Sequence, residues 1–459
     1  MEKETIDALI EEVNTLLEEK EFIKLKTLLT EIEPFDLAAV FEEFPKKIGL
    51  LFRILPKDLA AETFIEMSYE VQEELFSSFT DNEIKDVINE LYIDDAVDII
   101  EEMPANVVKK ILTNTDSETR KTINEILNYP EDSAGSIMTT EYVKFDEDFT
   151  VDDALKHIRR TGLDKETIYT CYVTQQNRKL LGFVTVRTLL LADPDSLISD
   201  IMETNVISAN THEDKEQVAL NMRNYDLMAI PVVDQESRLV GIITVDDAID
   251  VIEEEATEDM EKMAAILPSD KPYLSTSVFT IWKNRIPWLF LLMISATFTG
   301  QIITSFESKL AACTILTAFI PMLMDTAGNA GGQSSVTIIR GLAIEEIRMR
   351  DIVRIMFKEL RVSILCGIVL AAVNFGKIML VDRLLFGNDE ITVQVAFAIC
   401  ITLLFTIIVA KLVGCSLPIL AKRIGFDPAV MASPFITTIV DAIALLIYFA
   451  IAASIIPGL

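Results

Sequence analysis

The sequence predicts a multi-domain chain of successive α, α/β and membrane α parts: a helical solenoid, a twice-repeated α/β module, and a domain of five membrane helices. Three observations carry this. Acidic charge is segregated: residues 271–459 hold 15 Lys and Arg and 11 Asp and Glu, so residues 1–270 hold the other 25 and 61 and a net charge of −36, within a 459-residue chain of net charge −32. A stretch of the middle region repeats itself 59 positions later. The C-terminal part contains apolar runs of about 20 residues or more, the length that crosses a hydrocarbon core about 30 Å thick.

Composition excludes several classes of function. The start, MEKETIDALIEEVNTLLEEK, has neither a basic segment nor a short apolar core. It does not read as a secretory signal, and the acidic part is expected in the cytosol. Excess carboxylate would repel phosphate, so nucleic acid is not an expected partner; metal cations are. Cys171, Cys313, Cys366, Cys400 and Cys415 share no metal-ligand spacing, and with two histidines, His157 and His212, neither a zinc site nor histidine catalysis is expected. No Walker-type loop is present, so ATP hydrolysis is not the expected engine.

Residues 1–130 have apolar side chains at helical spacing and a recurring theme: EPFDLAAVFEEFP (33–45), LPKDLAAETFIEM (55–67), SYEVQEELFSSFT (68–80) and LYIDDAVDIIEEMP (91–104). Each opens on a Pro, Asp or Ser start signal and continues for about nine helical residues. Units of about 12 residues predict a small α-solenoid.

After Asn128-Tyr129-Pro130 the pattern changes. Over 131–256, β-rich runs TIYTCYV (167–173), LLGFVTV (180–186), MAIPVVD (228–234) and LVGIITV (239–245) alternate with helices. YVTQQNRKLLGFVTV (172–186) aligns without a gap on PVVDQESRLVGIITV (231–245), with Gly182 over Gly241, and Ser136-Ile137-Met138 matches Asp200-Ile201-Met202. A connecting helix is expected over 246–270, running to Pro268. Its Asp247, Asp250, Glu254 and Glu258 fall on one face, and such a stripe repels itself.

Over 271–459 five spans are expected, at 286–304, 311–337, 358–380, 392–419 and 430–457. Arg340, Arg348, Arg350 and Arg354 lie between spans two and three, and Lys422 and Arg423 between four and five. The positive-inside rule then puts the N-terminus in the cytosol and the C-terminus outside, in the plasma membrane.

Two spans carry polar groups that lipid does not tolerate. Span two contains PMLMDTAGNAGGQSSVTIIRGLA (321–343), with Asp325, Asn329, Gln333, Ser334 and Ser335 among small residues that let helices approach closely. Span five contains FDPAVMASPFITTIVDAIALLIYFA (426–450): Asp427 at the entrance, Pro434, and Asp441 near mid-membrane with no basic residue in its own span. Either Lys411 of span four or a passing cation would match Asp441. Mg²⁺ is held by one or two carboxylates through its waters, and two copies of Asp441 in a symmetric homodimer would form a ring suited to it.

The repeat over 136–256 resembles a cystathionine-β-synthase (CBS) domain pair, a regulatory module that binds nucleotides or ions. The whole chain resembles the MgtE-type magnesium channels and transporters, most specifically in PMLMDTAGNAGGQSS and in DPAVMASPF with TTIVDA. It departs modestly, with Ala327-Gly328-Asn329 where most relatives have Gly-Gly-Asn. The resemblance implies a homodimeric Mg²⁺ channel, no enzyme, with Asp441 holding hydrated Mg²⁺ and Asp325, Asn329 and Asp427 along the path. It further implies that Mg²⁺ at Asp94, Asp98, Glu216, Asp226, Asp247, Asp250, Glu255, Glu258, Asp259 and, more weakly, Glu62 holds the pore shut through the connecting helix. ATP at the CBS pair is a further expected ligand. Two carboxylates about 6 Å apart at an effective dielectric near 20 repel by about 3 kcal/mol, so apposed acidic faces need a cation between them. Two alternatives stand beside this reading: gating mainly by nucleotide, and an intramembrane aspartyl protease using Asp325 and Asp441, although the Gly-x-Gly-Asp motif of such proteases is missing.

Overall fold

The computed structural model describes residues 3–269, 273–274, 276–431 and 433–456. The expected ends of the connecting helix at 270, of the membrane domain at 271 and 459, and of the last span at 457 lie outside the described residues. The chain divides into two units, Met1–Ile252 and Glu253–Leu459.

The first unit begins with ten helices between Lys3 and Ile126. The four repeat units become helices Pro34–Glu42, Lys57–Ile65, Tyr69–Ser78 and Ile93–Glu102. Proline opens several of them, at Pro34, Pro56 and Pro104, where a missing N–H costs nothing. Thr80 and Glu83 form a reciprocal capping box, and Arg53 Nε donates to Glu83 at 2.6 Å. The Arg53 hydrogen bond, with help from Thr80, lowers the Glu83 carboxyl to about 2. The 12-residue period has a core counterpart: Phe52, Phe64, Phe76, Ile88 and Ile100 are all buried. The Phe52–Phe64 and Phe64–Phe76 rings lie 6.0 and 4.7 Å apart, edge to face. Each helix is too short to be stable alone, so this stacked column supplies what propensity does not.

The α/β part holds two three-stranded sheets, β1 (Tyr142–Asp146), β2 (Thr167–Thr174) and β3 (Leu180–Thr185), then β4 (Ala209–Asn210), β5 (Ala229–Val233) and β6 (Leu239–Thr244). In each, the first strand runs parallel to the second and the second antiparallel to the third. The register repeats with the sequence: Val173 faces Gly182, and Val232 faces Gly241. The copies also exchange contacts. Leu180 N–H donates to Ser237 C=O while Leu239 N–H donates to Arg178 C=O, a reciprocal pair 59 positions apart. Phe183 bridges Glu203, and Ile242 bridges Thr139. The two matched Ile-Met segments therefore lie against the two matched glycines. A Cβ at Gly182 would stand 2.6 Å from Glu203 O, and one at Gly241 2.7 Å from Thr139 O. Glycine is required there for backbone approach.

The connecting helix spans Val245–Met263, ending five residues before Pro268. Ala265 adopts φ 56° and Ile266 N–H returns to Glu261 C=O, a left-handed stop made without glycine. The second unit contains five long helices: Val278–Ser305, Ile320–Ala343, Ile352–Lys377, Val393–Arg423 and Ser433–Ile455. Four stretches, Val278–Ser305, Met349–Leu385, Val393–Arg423 and Pro428–Ile455, are long and apolar enough to cross a membrane. The second long helix is the more polar one. It does not start at 311 as its sequence suggested. A short helix, Glu307–Ala312, and a 3-10 segment, Thr314–Phe319, precede it, and Pro321 sets its first turn. It continues past 337 to Ala343.

Gly241→Ala is expected to destabilise the first unit by about 1–3 kcal/mol, since the added methyl meets fixed backbone. Gly49→Ala, whose Cβ meets only the Arg53 guanidinium at 3.4 Å, should be neutral or slightly stabilising, as in a helix. Urea unfolding of both variants checks the contrast.

Candidate functional site

The second long helix presents a polar stripe. Asp325, Asn329, Gln333, Thr337 and Arg340 are exposed in the single chain, while Ala327, Gly328, Ala330, Gly331, Ser334 and Ser335 between them are buried. The four-residue spacing of the first four places them on one side of the helix. The buried side packs closely. A Cβ at Gly328 would stand 2.7 Å from the Thr437 side chain, one at Gly331 3.0 Å from Ile436, and one at Gly414 2.2 Å from Gly331 O. Small residues thus let the second helix lie against the fourth and fifth.

Asp441 follows Thr437 by one turn on the fifth helix. Its Oδ1 is buried with no hydrogen-bond partner among the described residues, and Asp325 is the charge acting on it. The fixed-partner alternative is settled by Lys411, which does not serve Asp441. Lys411 Nζ donates to Ser334 Oγ at 3.2 Å and stands 3.9 Å from Glu359 Oε2, and Ser334 Oγ donates to Glu359 at 2.7 Å. Glu359 was not singled out from the sequence, because only the fold brings it to Lys411, 52 residues away. Ser334 and Ser335 leave the polar stripe; Ser335 Oγ points to Met431 C=O at 3.5 Å.

Asp427 has other partners than a pathway cation. One oxygen accepts the Ala429 N–H at 2.8 Å, and the other stands 2.8 Å from Lys262 Nζ, which also reaches Glu258 at 2.8 Å. Burial opposes the Lys262 charge, but hydrogen bonds to Asp427 and Glu258 outweigh it and hold the ammonium above its ordinary value. Asp259 beside them is raised by burial and by Asp427. Met263 packs against Ile339 and Ala429, so the end of the connecting helix has both a charged and an apolar seat.

In the first unit the fold gathers carboxylates around Asp94 and Asp247. Asp94, at the start of helix Ile93–Glu102, is 7% exposed, and its Oδ1 accepts only the adjacent Asp95 N–H at 3.0 Å in the described hydrogen bonding. Burial, then the charges of Asp247, Asp95 and Glu166, raise it well above the carboxylate range. Burial and Asp247, Asp246, Glu66 and Glu141 push Asp95 up to about 7. Burial and Asp95, Asp247 and Asp246 push Glu166 up to about 8. Asp247 rises to about 6 through burial, restrained by hydrogen bonds from Thr244. Asp250 acts on both Asp247 and Glu66, and Glu62 on Tyr92. Asp98 and Asp226 are exposed, and Glu216 and Glu255 half-buried. Among the described residues no three His, Cys, Asp or Glu converge as a metal cage. The carboxylates face one another at longer range, which suits an ion that keeps its water. Sequence reasoning missed Asp95, Glu66, Glu141 and Glu166. Asp95 carried a signal, as the second acid of a helix first turn, but the loop residue Glu166 carried none.

Comparison with known proteins matches this division of the chain. Residues 320–451 match a family described as divalent cation transporter, residues 32–132 the MgtE intracellular N domain, and residues 134–195 and 198–254 the CBS domain. The magnesium transporter MgtE of Thermus thermophilus is 36% identical over 441 residues, 95% of this chain and 96% of its own. That of Bacillus subtilis is 34% identical over 457 residues, 99% of both chains. Two solved structures cover the soluble part. The cytosolic domain of the Mg²⁺ channel MgtE in complex with ATP has TM-score 0.51 and 36% identity, covering 53% of this chain and 99% of that one. The soluble part of a magnesium transporter has TM-score 0.52 and 31% identity, covering 55% and 99%. These relatives are named as transporters and not as enzymes, which leaves the protease alternative without support. The acidic helical unit, the CBS pair and the apolar helices with a half-buried carboxylate are thus the parts of one known architecture, and the chain belongs to the MgtE family of magnesium transporters.

Proposed function

We propose that the protein is a homodimeric Mg²⁺ channel of the plasma membrane that admits Mg²⁺ down its electrochemical gradient and is shut by cytosolic Mg²⁺. The observation that carries the reading is Asp441, a carboxylate in an apolar helix with a buried oxygen that no fixed cation serves. A charged group in a bilayer is tolerated when it faces water or a partner. The exposed stripe of Asp325, Asn329 and Gln333 would line such a water path between two copies, and two Asp441 side chains would hold one hydrated ion. Five spans, with the N-terminus in the cytosol, fit the five long helices and the basic loops. A membrane potential of 100 mV contributes about 4.6 kcal/mol for a dication moving inward.

Closure follows from the same electrostatics. The carboxylates Asp94, Asp95, Glu166 and Asp247 repel one another unless protonated or bridged, and Asp98, Glu216, Asp226, Asp250 and Glu62 would join them in holding Mg²⁺. Mg²⁺ that binds only the apposed arrangement stabilises it by RT ln(1+[L]/Kd) per site. About 5.5 kcal/mol reverses a 1:99 equilibrium, within reach of several weak sites. The connecting helix, with Glu255, Glu258 and Asp259, would carry that state to the pore. A relative's cytosolic domain crystallised with ATP supports nucleotide at the CBS pair as a second input. Titrating ATP and Mg²⁺ separately into the protein while following protease protection ranks the two.

Reconstituted protein is expected to carry Mg²⁺, and Asp441→Asn to reduce uptake to background. Peptide cleavage without metal flux, or undiminished flux in the variant, would overturn the reading.

Lys262→Met should remove the ammonium between Glu258 and Asp427. The cytosolic Mg²⁺ that half-closes the channel is then expected to rise about tenfold if one ion closes it and about twofold if three act together, the shift that about 1.4 kcal/mol of lost closing bias produces. Patch recording with varied internal Mg²⁺ measures it.

For residues 1–252 the sign of the pH dependence is fixed by raised carboxyl groups. Stability contributed by protonated Asp95, Glu166 and Asp247 is complete below about pH 4 and is lost as pH rises through about 6 to 8. The thermal midpoint should therefore fall over that range without divalent ions, and millimolar Mg²⁺ at pH 8 should restore it.

A further inference from the structure

We propose that Glu359 and Lys411, bridged by the Ser334 hydroxyl, are positioning residues for ion passage that fix the rotation of the second long helix. The inference rests on the pathway reading above. Three helices meet at this point: Ser334 on Ile320–Ala343, Glu359 on Ile352–Lys377 and Lys411 on Val393–Arg423. The ammonium donates to the hydroxyl at 3.2 Å and the hydroxyl donates to the carboxylate at 2.7 Å. The chain of donors therefore has one direction. Lys411 is 8% exposed at its side chain and Glu359 17%. Lys411 stands twelve residues from Arg423, the basic end of its helix. At 1.5 Å per residue this is about 18 Å, near the middle of a hydrocarbon core. An ion pair at such depth is costly to build from two separate charges, so it marks a constraint and not a solvated surface.

What it constrains follows from helix geometry. Gln333 of the exposed stripe is the residue before Ser334, about 100° away around the axis. Gly331, one turn before Ser334, touches the fourth helix where Gly414 is, one turn after Lys411. The backbone contact at Gly331 and Gly414 lets the two helices approach but, lacking side chains, does little to resist rotation. The Lys411–Ser334–Glu359 tie supplies that resistance, one turn away along the same seam. A rotation by one residue, about 100°, would carry Asp325, Asn329 and Gln333 together away from the direction they now face. Asp441 itself makes no contact with the tie in the described hydrogen bonds and ion pairs. The part of the tie is to aim the stripe, not to bind the ion.

The test uses full-length protein in liposomes, with Mg²⁺ flux per reconstituted molecule, half-saturating Mg²⁺ and the Mg²⁺ to Ca²⁺ flux ratio as readouts. Glu359→Gln and Lys411→Met are each expected to lower flux per molecule about tenfold or more and to change the flux ratio. The double variant should be no worse than the poorer single one, because the pair acts as a unit. Ser334→Ala should have a smaller effect in the same direction, and Ser334→Thr, which keeps the hydroxyl, should restore the wild-type ratio. If the charged-pair variants do not reconstitute, the Ser334 pair decides. Wild-type half-saturation and flux ratio in all variants, with only the protein amount reduced, would make the tie a folding feature and overturn the inference. Wild-type protein that carries no Mg²⁺ would instead sink the pathway reading.

Discussion

An ionised carboxylate removed from water must find a cation or take a proton, and the arrangement of this protein follows how each of its secluded carboxylates meets that demand. Glu359 has a fixed ammonium, relayed through Ser334. Asp427 has Lys262, shared with Glu258. Among the described residues Asp441 has neither, and one of its oxygens is buried without a partner. The difference is informative because the three lie in one unit. A lysine was available to Asp441 in composition, and the fold gives it to Glu359. On the proposed reading, Asp441 is where the transported ion belongs.

The first unit meets the same demand in water. Asp94, Asp95, Glu166 and Asp247 are drawn together by the helical layer and the start of the connecting helix, and burial favours their protonated forms. The largest charges that shift them are other carboxylates. The scaffold that gathers them is rigid for identifiable reasons: the buried column from Phe52 to Ile100 at 12-residue steps, and the paired glycines Gly182 and Gly241, against which each repeat's segment lies. Such a scaffold converts a small change in charge into a change of arrangement, since packed layers do not deform continuously.

Periodic features were legible in the sequence. The four solenoid units, the strands β2, β3, β5 and β6 and the 59-residue offset appear in the structure within a residue or two. The parallel partners β1 and β4 were not: β4 has only two residues, and β1, YVKFD, carries two charges in five residues where the other strands are apolar runs. Helix ends failed where the stop signal was unusual: Ala265 in a left-handed turn ended the connecting helix without glycine, and the polar second helix began only at Ile320. For the site, Asp441 and Asp325 stood out because lipid makes any carboxylate conspicuous. Glu359, Lys262 and Glu166 did not, since their meaning lies in partners 52, 165 and 71 positions away, Lys411, Asp427 and Asp95 respectively.

A lysine and a magnesium ion are not equivalent ways of neutralising a carboxylate. The ammonium is tethered, so its occupancy is constant and it contributes a fixed bias toward the arrangement in which it was folded. A dication has an occupancy set by its concentration, so the same carboxylate geometry becomes a measurement. A channel that closed on dications alone would have no closing bias when they are scarce. One that closed on lysines alone would not respond to them. On the proposed reading, Lys262 on the connecting helix beside Glu258 supplies a constant term and the acidic group around Asp94 and Asp247 a variable one, and the balance between them would set the concentration at which the pore responds.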